Sequence, residues 1–195
     1  MCSWCWAFRP AWARIVEEAP GVIQVRRILG GLAPDSMDPM PGEMQRFLQE
    51  TWRAIQQRVP ATRFDFGFWD RCEPKRSTYP ACRAVIAARS QAAEAEESMI
   101  FAIQQAYYLQ ARNPSDAEVL IELAGEIGLD QARFEIDLSA EQTQRKLLDE
   151  ITFGRSIGVQ GFPSLVLQDA GGYRVLGYDY NDPEVVLAQL LVHTN

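Results

Sequence analysis

An α/β fold is predicted by three features of this 195-residue sequence. Apolar residues at helical spacing follow a Cys-x-x-Cys pair at the front, and β-branched or alternating stretches stand near both ends. A long block rich in Ala and Glu separates them. Strands at the two ends must share one sheet, because neither end can bury its apolar face alone. The helical block, about residues 43–158, is then an insertion within one domain spanning 1–195.

In order along the chain, Phe8, Trp12, Ile15, Val16 and Ala19 recur at helical spacing, and Pro20-Gly21 stops that helix. "VIQVRRIL", residues 22–29, reads as a strand ended by Gly30-Gly31. "APDSMDPMPG" lacks apolar periodicity and reads as a loop. A helix beginning near Glu43 carries Met44, Phe47, Leu48, Ile55 and Val59 along one side. The aromatic stretch "RFDFGFWDRCEPKRSTY" is irregular, an extended loop. Its Phe64, Phe66, Phe68 and Trp69 suit packing between sheet and insertion better than an exposed platform for unfolded substrates. From Pro80 to about Arg112 the composition is helical, in two pieces. Capping boxes at Ser115/Glu118 and Ser139/Gln142 open two more helices, ending at Gly128 and near Gly158, with one short helical turn at "DQARFEI" between them. "PSLVLQ" and "YRVLGY", joined by "DAGG", form a hairpin. Asp182-Pro183 then starts a closing helix bearing Val186, Leu187, Leu190 and Leu191.

Composition narrows the function classes. Hydrophobic residues make up 47% and charged residues 23%, enough apolar material for a core without staples. The formal charge is −7 with no long basic run, which argues against nucleic-acid partners. No apolar stretch is long enough to cross a bilayer, so no membrane partner is expected. No secretory signal is visible, and a cytoplasmic protein is expected. Four cysteines are too few for a disulfide framework; in a reducing compartment a close pair points to redox catalysis or metal binding.

A Cys-x-x-Cys that opens a helix has a physical logic. Free backbone N–H groups and the helix dipole favour an anion there, so a thiolate is stabilised and its pKa falls. Cys2 is placed to attack a disulfide, and Cys5, one turn later, to resolve the mixed disulfide. Inert packing of both cysteines is one alternative. A zinc site is another, but it needs four ligands. Cys72 and Cys82 are badly spaced for it, and the lone His193 lies at the C-terminal end, so no metal is expected. Cys82 reads as a buried thiol and Cys72 as incidental, in preference to a second redox disulfide.

"VQGFPSLVL" separates these readings, because Pro163 immediately precedes a short late strand and Gly161 permits an unusual backbone before it. The Cys-x-x-Cys helix, helical insertion, Gly-x-Pro, hairpin and terminal helix together resemble the thioredoxin superfamily. More narrowly, the chain is similar to the DsbA-type thiol–disulfide oxidoreductases over nearly its whole length. Within them, "CSWCWAF" and "STYPACRAVIAAR" resemble a bacterial branch described as predicted protein-disulfide isomerases. The resemblance implies a thioredoxin-like fold and a cis Phe162–Pro163 bond beside the cysteines. It also implies that the backbone of Phe162 pairs with a bound substrate strand. No metal or organic cofactor is implied; partners would be protein or small-molecule thiols and disulfides, with another redox system as reductant or oxidant.

Two departures from the family pattern carry expectations. Strongly oxidising DsbA-type enzymes place a histidine between the cysteines, whereas Ser3 and Trp4 stand here. Thiolate stabilisation then rests mainly on the helix terminus, which predicts a less oxidising, reductase- or isomerase-like couple. Trp4 is expected at the surface, available to substrate, and Trp6 could be either buried or exposed. The family fold also places a strand before the Cys-x-x-Cys helix, and none precedes Met1. A natural start upstream is therefore expected, which also leaves room for a signal segment. Two other readings remain open: a glutathione-dependent relative of the kappa-type transferases and hydroxychromene-carboxylate isomerases, and a binding module or holdase that keeps the fold. Cys5 argues against the former, which activates glutathione with a Ser and needs no resolving thiol.

Overall fold

A computed structural model describes residues 1–191, so His193 lies outside the described residues. Helix α1 (Ser3–Glu18) begins directly after Cys2 and buries Ala7, Phe8, Ala11 and Ile15 along one stripe. The chain then runs without regular structure to α2 (Gly42–Arg58), whose Trp52 and Ile55 are fully buried. A short α3 (Phe68–Arg71) interrupts the aromatic loop that the sequence leaves irregular. The two-piece helix follows as α4 (Tyr79–Gln91) and α5 (Ala95–Leu109). Next come α6 (Ala117–Glu126), α7 (Gln131–Ser139) and α8 (Glu141–Ser156). The hairpin β1 (Leu165–Asp169) and β2 (Gly172–Leu176) precedes the closing α9 (Glu184–Leu191).

The hairpin is antiparallel, with Leu165 opposite Leu176 and Asp169 opposite Gly172. Gly172 takes φ +114, a conformation glycine adopts without a Cβ clash, at the turn that the sequence places at "DAGG". The hairpin and α1 share a core of Phe8, Ala11, Ile15, Leu176, Val186 and Leu190. α4 forms the centre of the helical block: its Ala84, Ala87 and Ala88 are fully buried, and small side chains let α5, α6, α7 and α8 approach closely.

Several sequence expectations are corrected. Residues 22–29 form no strand; among the described residues the sheet is two-stranded, and this segment has no ladder partner. Strand propensity without a neighbour to accept and donate leaves the backbone to other anchors. Here the Leu29 N–H donates to Glu150 Oε2 at 2.8 Å, and Arg27 pairs with Glu96 and Glu97. Val22 accordingly points out, 76% exposed. Neither capping box forms. Ser115 Oγ donates to the Ser77 carbonyl and Ser139 Oγ to carbonyls of its own preceding turn, so tertiary and back-bonding partners take both hydroxyls. Asp130, by contrast, accepts from the Arg133 N–H as an N-cap and turns the expected short turn into α7. Phe47, expected on the apolar side of α2, is 60% exposed.

Candidate active site

Cys2 occupies the N-cap of α1 with extended backbone (φ −90, ψ 111), and its carbonyl accepts from the N–H groups of Cys5 and Trp6. Cys5 lies one turn into the helix. Both cysteines are half-buried free thiols. Hydrogen bonding between the two thiols lowers the Cys2 pKa to about 7 and is the largest influence on it. The Cys5 and Trp4 amides at the helix start act in the same direction, while burial opposes them. The same bond raises Cys5 well above the ordinary thiol range, reinforced by burial. The pair is thus split into a readily ionised, outer sulfur and a protonated, inner one.

The Phe162–Pro163 peptide bond is cis, and the loop sits directly against the pair: the Cys2 thiol donates to the Phe162 carbonyl at 3.3 Å. The Phe162 ring lies where a Cβ on Gly30 would be, within 1.9 Å of that position. Gly30, read only as the end of a strand, is therefore the seat of the loop. The structure brings Cys2, Cys5, Phe162 and Pro163 together.

Trp4 differs from its expected surface position. It is half-buried, with its ring 4.9 Å from that of Tyr180, and it packs beside Ala7, Ile55 and Val59. Ser3 is buried, and its hydroxyl accepts from Trp52 Nε1 at 2.9 Å. Trp6 stacks on Tyr108, and its indole donates to the Arg63 carbonyl.

The aromatic loop is core. The Trp52 ring stacks on Phe64 and meets Phe66, Phe68, Trp69, Tyr107 and Tyr108, so the indole that orders Ser3 is itself held by aromatic rings. Trp52 escaped the reading of α2, although it stands four residues after Leu48 and three before Ile55 on the same helical face. The cysteine outside the pair on the loop, Cys72, donates to the Ala111 carbonyl. Cys82 sits beside Gly31 on α4, and burial pushes both thiols up. They have separate surroundings and form no disulfide. Among the described residues, no three His, Cys, Asp or Glu side chains gather in a way that could hold a metal, and no helix is long and apolar enough to cross a membrane.

The segment after β2 completes the site. Tyr178 Oη donates to the Pro163 carbonyl at 3.1 Å, and Tyr180 faces both Trp4 and the cysteines. Sequence reading placed Tyr178 in a strand; its two-residue spacing from Tyr180, which puts both rings on one side of an extended chain, was the available signal.

A thioredoxin family model matches residues 1–182. Among solved structures, a protein described as a candidate disulfide isomerase from Nitrosomonas europaea superposes with TM-score 0.82 at 26% identity, over 98% of this chain and 91% of that one. The cytosolic disulfide reductase DsbM from Pseudomonas aeruginosa gives TM-score 0.78 at 24% identity, over 100% and 94%; at that identity it speaks for the fold. In sequence, the ClpXP adapter protein SpxH of Bacillus subtilis is 23% identical over 98% of this chain. The chain spans less than two thirds of the length of the SpxH relatives it matches, 64% for this one. The matched residues span the cysteine pair, the cis-Pro loop and the hairpin, and the chain belongs to the thioredoxin family.

Proposed function

We propose that this protein is a disulfide reductase or isomerase of the reducing type, with Cys2 as attacking sulfur and Cys5 as resolving sulfur. The observation that carries the reading is the split pair, one thiol lowered to about 7 and its neighbour raised, at a helix N-cap facing the cis-Pro loop. The Cys2 thiolate attacks one sulfur of a substrate disulfide; the other leaves as a thiolate and takes a proton. Cys5 then gives up its proton and attacks Cys2, releasing the second substrate thiol and leaving the Cys2–Cys5 disulfide. Two electrons have passed to the substrate. Two equivalents of a small thiol restore the dithiol and end as their own disulfide. Glutathione, present with DsbM in one similar structure, is the recycling thiol we assign, in a cytosolic setting like that protein's.

The Phe162 backbone and the cis-Pro loop offer the docking edge for an extended substrate, with Trp4 beside it. The kappa-type transferase reading is disfavoured by Ser3, whose hydroxyl is committed to Trp52 in the core and faces no open site. Similarity to ClpXP adapter proteins favours a second reading, in which the fold binds a partner polypeptide without turning over disulfides.

Insulin reduction with glutathione as the only reductant separates the two. The reductase reading expects turnover by wild type, none by Cys2→Ser, and a trapped mixed disulfide with Cys5→Ser. No turnover by wild type, with partner binding equal in wild type and Cys2→Ser, establishes the binding module instead.

A further inference from the structure

We propose that Tyr178 is a positioning residue for the redox pair: its hydroxyl holds the cis-Pro loop so that the Phe162 carbonyl stays against the Cys2 sulfur, keeping the couple on the reducing side. The inference rests on the oxidoreductase reading and deepens it.

The geometry is a short chain of contacts. Tyr178 Oη donates to the Pro163 carbonyl at 3.1 Å, one residue beyond the carbonyl that accepts from the Cys2 thiol. The Tyr180 ring meets that of Tyr178 edge-on at 5.5 Å, and burial, with the neighbouring Tyr178 hydroxyl second, pushes the Tyr180 pKa up. The rings are fixed as well as the hydroxyls. Phe8 of α1 lies 5.0 Å from Tyr178 and 5.9 Å from Tyr180, and Tyr180 meets Trp4 between the two cysteines. From below, Arg58 of α2 stacks over Tyr180, and the Asn181 side chain donates to the Arg58 carbonyl. One extended segment after β2 thus ties the loop on one side of the sulfur to the helix on the other.

The consequence follows from charge. A carbonyl that accepts from the neutral thiol stabilises the protonated form and repels the thiolate. The groups that titrate around Cys2 are Cys5 on its own helix, Tyr108 of α5, Tyr180 after β2 and the Met1 amine, and the hydrogen bond from Cys5 favours the thiolate. The Phe162 carbonyl is the counterweight to that bond. Loosening it stabilises the thiolate, and a more stable reduced form makes the disulfide a stronger oxidant.

The test is the pH dependence of Cys2 alkylation, followed by thiolate absorbance, in wild type, Tyr178→Phe and Tyr180→Phe. Val186→Ala serves as a control that weakens the same core without touching either hydroxyl. Tyr178→Phe is expected to lower the midpoint by about half a pH unit, roughly a threefold change in the thiolate-to-thiol ratio. Tyr180→Phe shifts it less, in the same direction, and Val186→Ala leaves it in place. A Tyr178→Phe midpoint that moves no more than the control's overturns the proposal. Should Tyr178→Phe not fold, an unmoved Tyr180→Phe midpoint overturns it equally. A wild-type midpoint in the ordinary thiol range contradicts the oxidoreductase reading itself, a distinct outcome.

Discussion

At the scale of single residues, the asymmetry of the pair is set from within. Cys2 owes its lowered pKa first to the Cys5 thiol, then to the Cys5 amide, the Met1 amine and the Trp4 amide, with no imidazole between the cysteines. The neighbouring thiol thus stands ahead of the helix terminus, the expected main source of thiolate stabilisation, among the causes of the shift. Removing that donor therefore has a sign. In Cys5→Ala the Cys2 midpoint is expected to rise from about 7 toward the ordinary thiol value, by about one unit or more. Single-turnover formation of the mixed disulfide by wild type should fall as pH drops below about 7, where Cys2 takes up its proton, and level off above. Stopped-flow alkylation checks both, and an unmoved midpoint in Cys5→Ala contradicts the assigned cause. Ser3 and Trp4, adjacent in sequence, diverge: one hydroxyl goes inward to Trp52, and the other ring lies half-covered on Tyr180.

Among the elements, the loop carrying Pro163 is placed by backbone that approaches closely. At Gly30 a methyl group would fall inside the Phe162 ring, so Gly30→Ala must displace the ring and with it the carbonyl at Cys2. The expected outcome is a loss of about tenfold or more in insulin-reduction kcat/KM with thermal unfolding little changed, since misplacing reacting groups costs rate steeply. Unchanged kinetics would detach Phe162 from the site. The helices, the hairpin turn at "DAGG" and the Asp182 start of α9 were legible because periodicity, glycine and capping chemistry are local signals, whereas the placing of Pro163 beside the cysteines came from the family resemblance alone. The failures are non-local. "VIQVRRIL" has strand propensity but no ladder, and Ser115 and Ser139 have box spacing but other partners. Tyr178 and Gly30 matter only because the fold brings Pro163 and Phe162 to them. No pattern within one stretch of sequence encodes such meetings.

For the whole molecule, the helical block and the hairpin unit meet at α1, whose N-terminus carries the cysteine pair. The hairpin face of α1 packs through Phe8 and Ile15; Ser3 and Trp6 engage the aromatic core of α2, α3 and α5. Arg9 extends the second contact by pairing with Glu97 and Gln104 of α5. The pair is thereby held between two cores and fixed on a rigid helix end. Such preorganisation suits an exchange catalyst, whose two sulfurs must meet in each half-cycle. The proposed redox poise follows from this assembly: the thiol–thiol bond favours the thiolate, burial resists it, the Phe162 carbonyl accepts from the neutral thiol, and no histidine stands between the cysteines. Equilibration of the Cys2–Cys5 couple against a glutathione buffer, with both redox states quantified by alkylation and mass, tests this most directly. We expect a single two-electron transition with a potential between about −270 and −180 mV. A value near the roughly −120 mV of the strong periplasmic oxidants, or no transition at all, would contradict it.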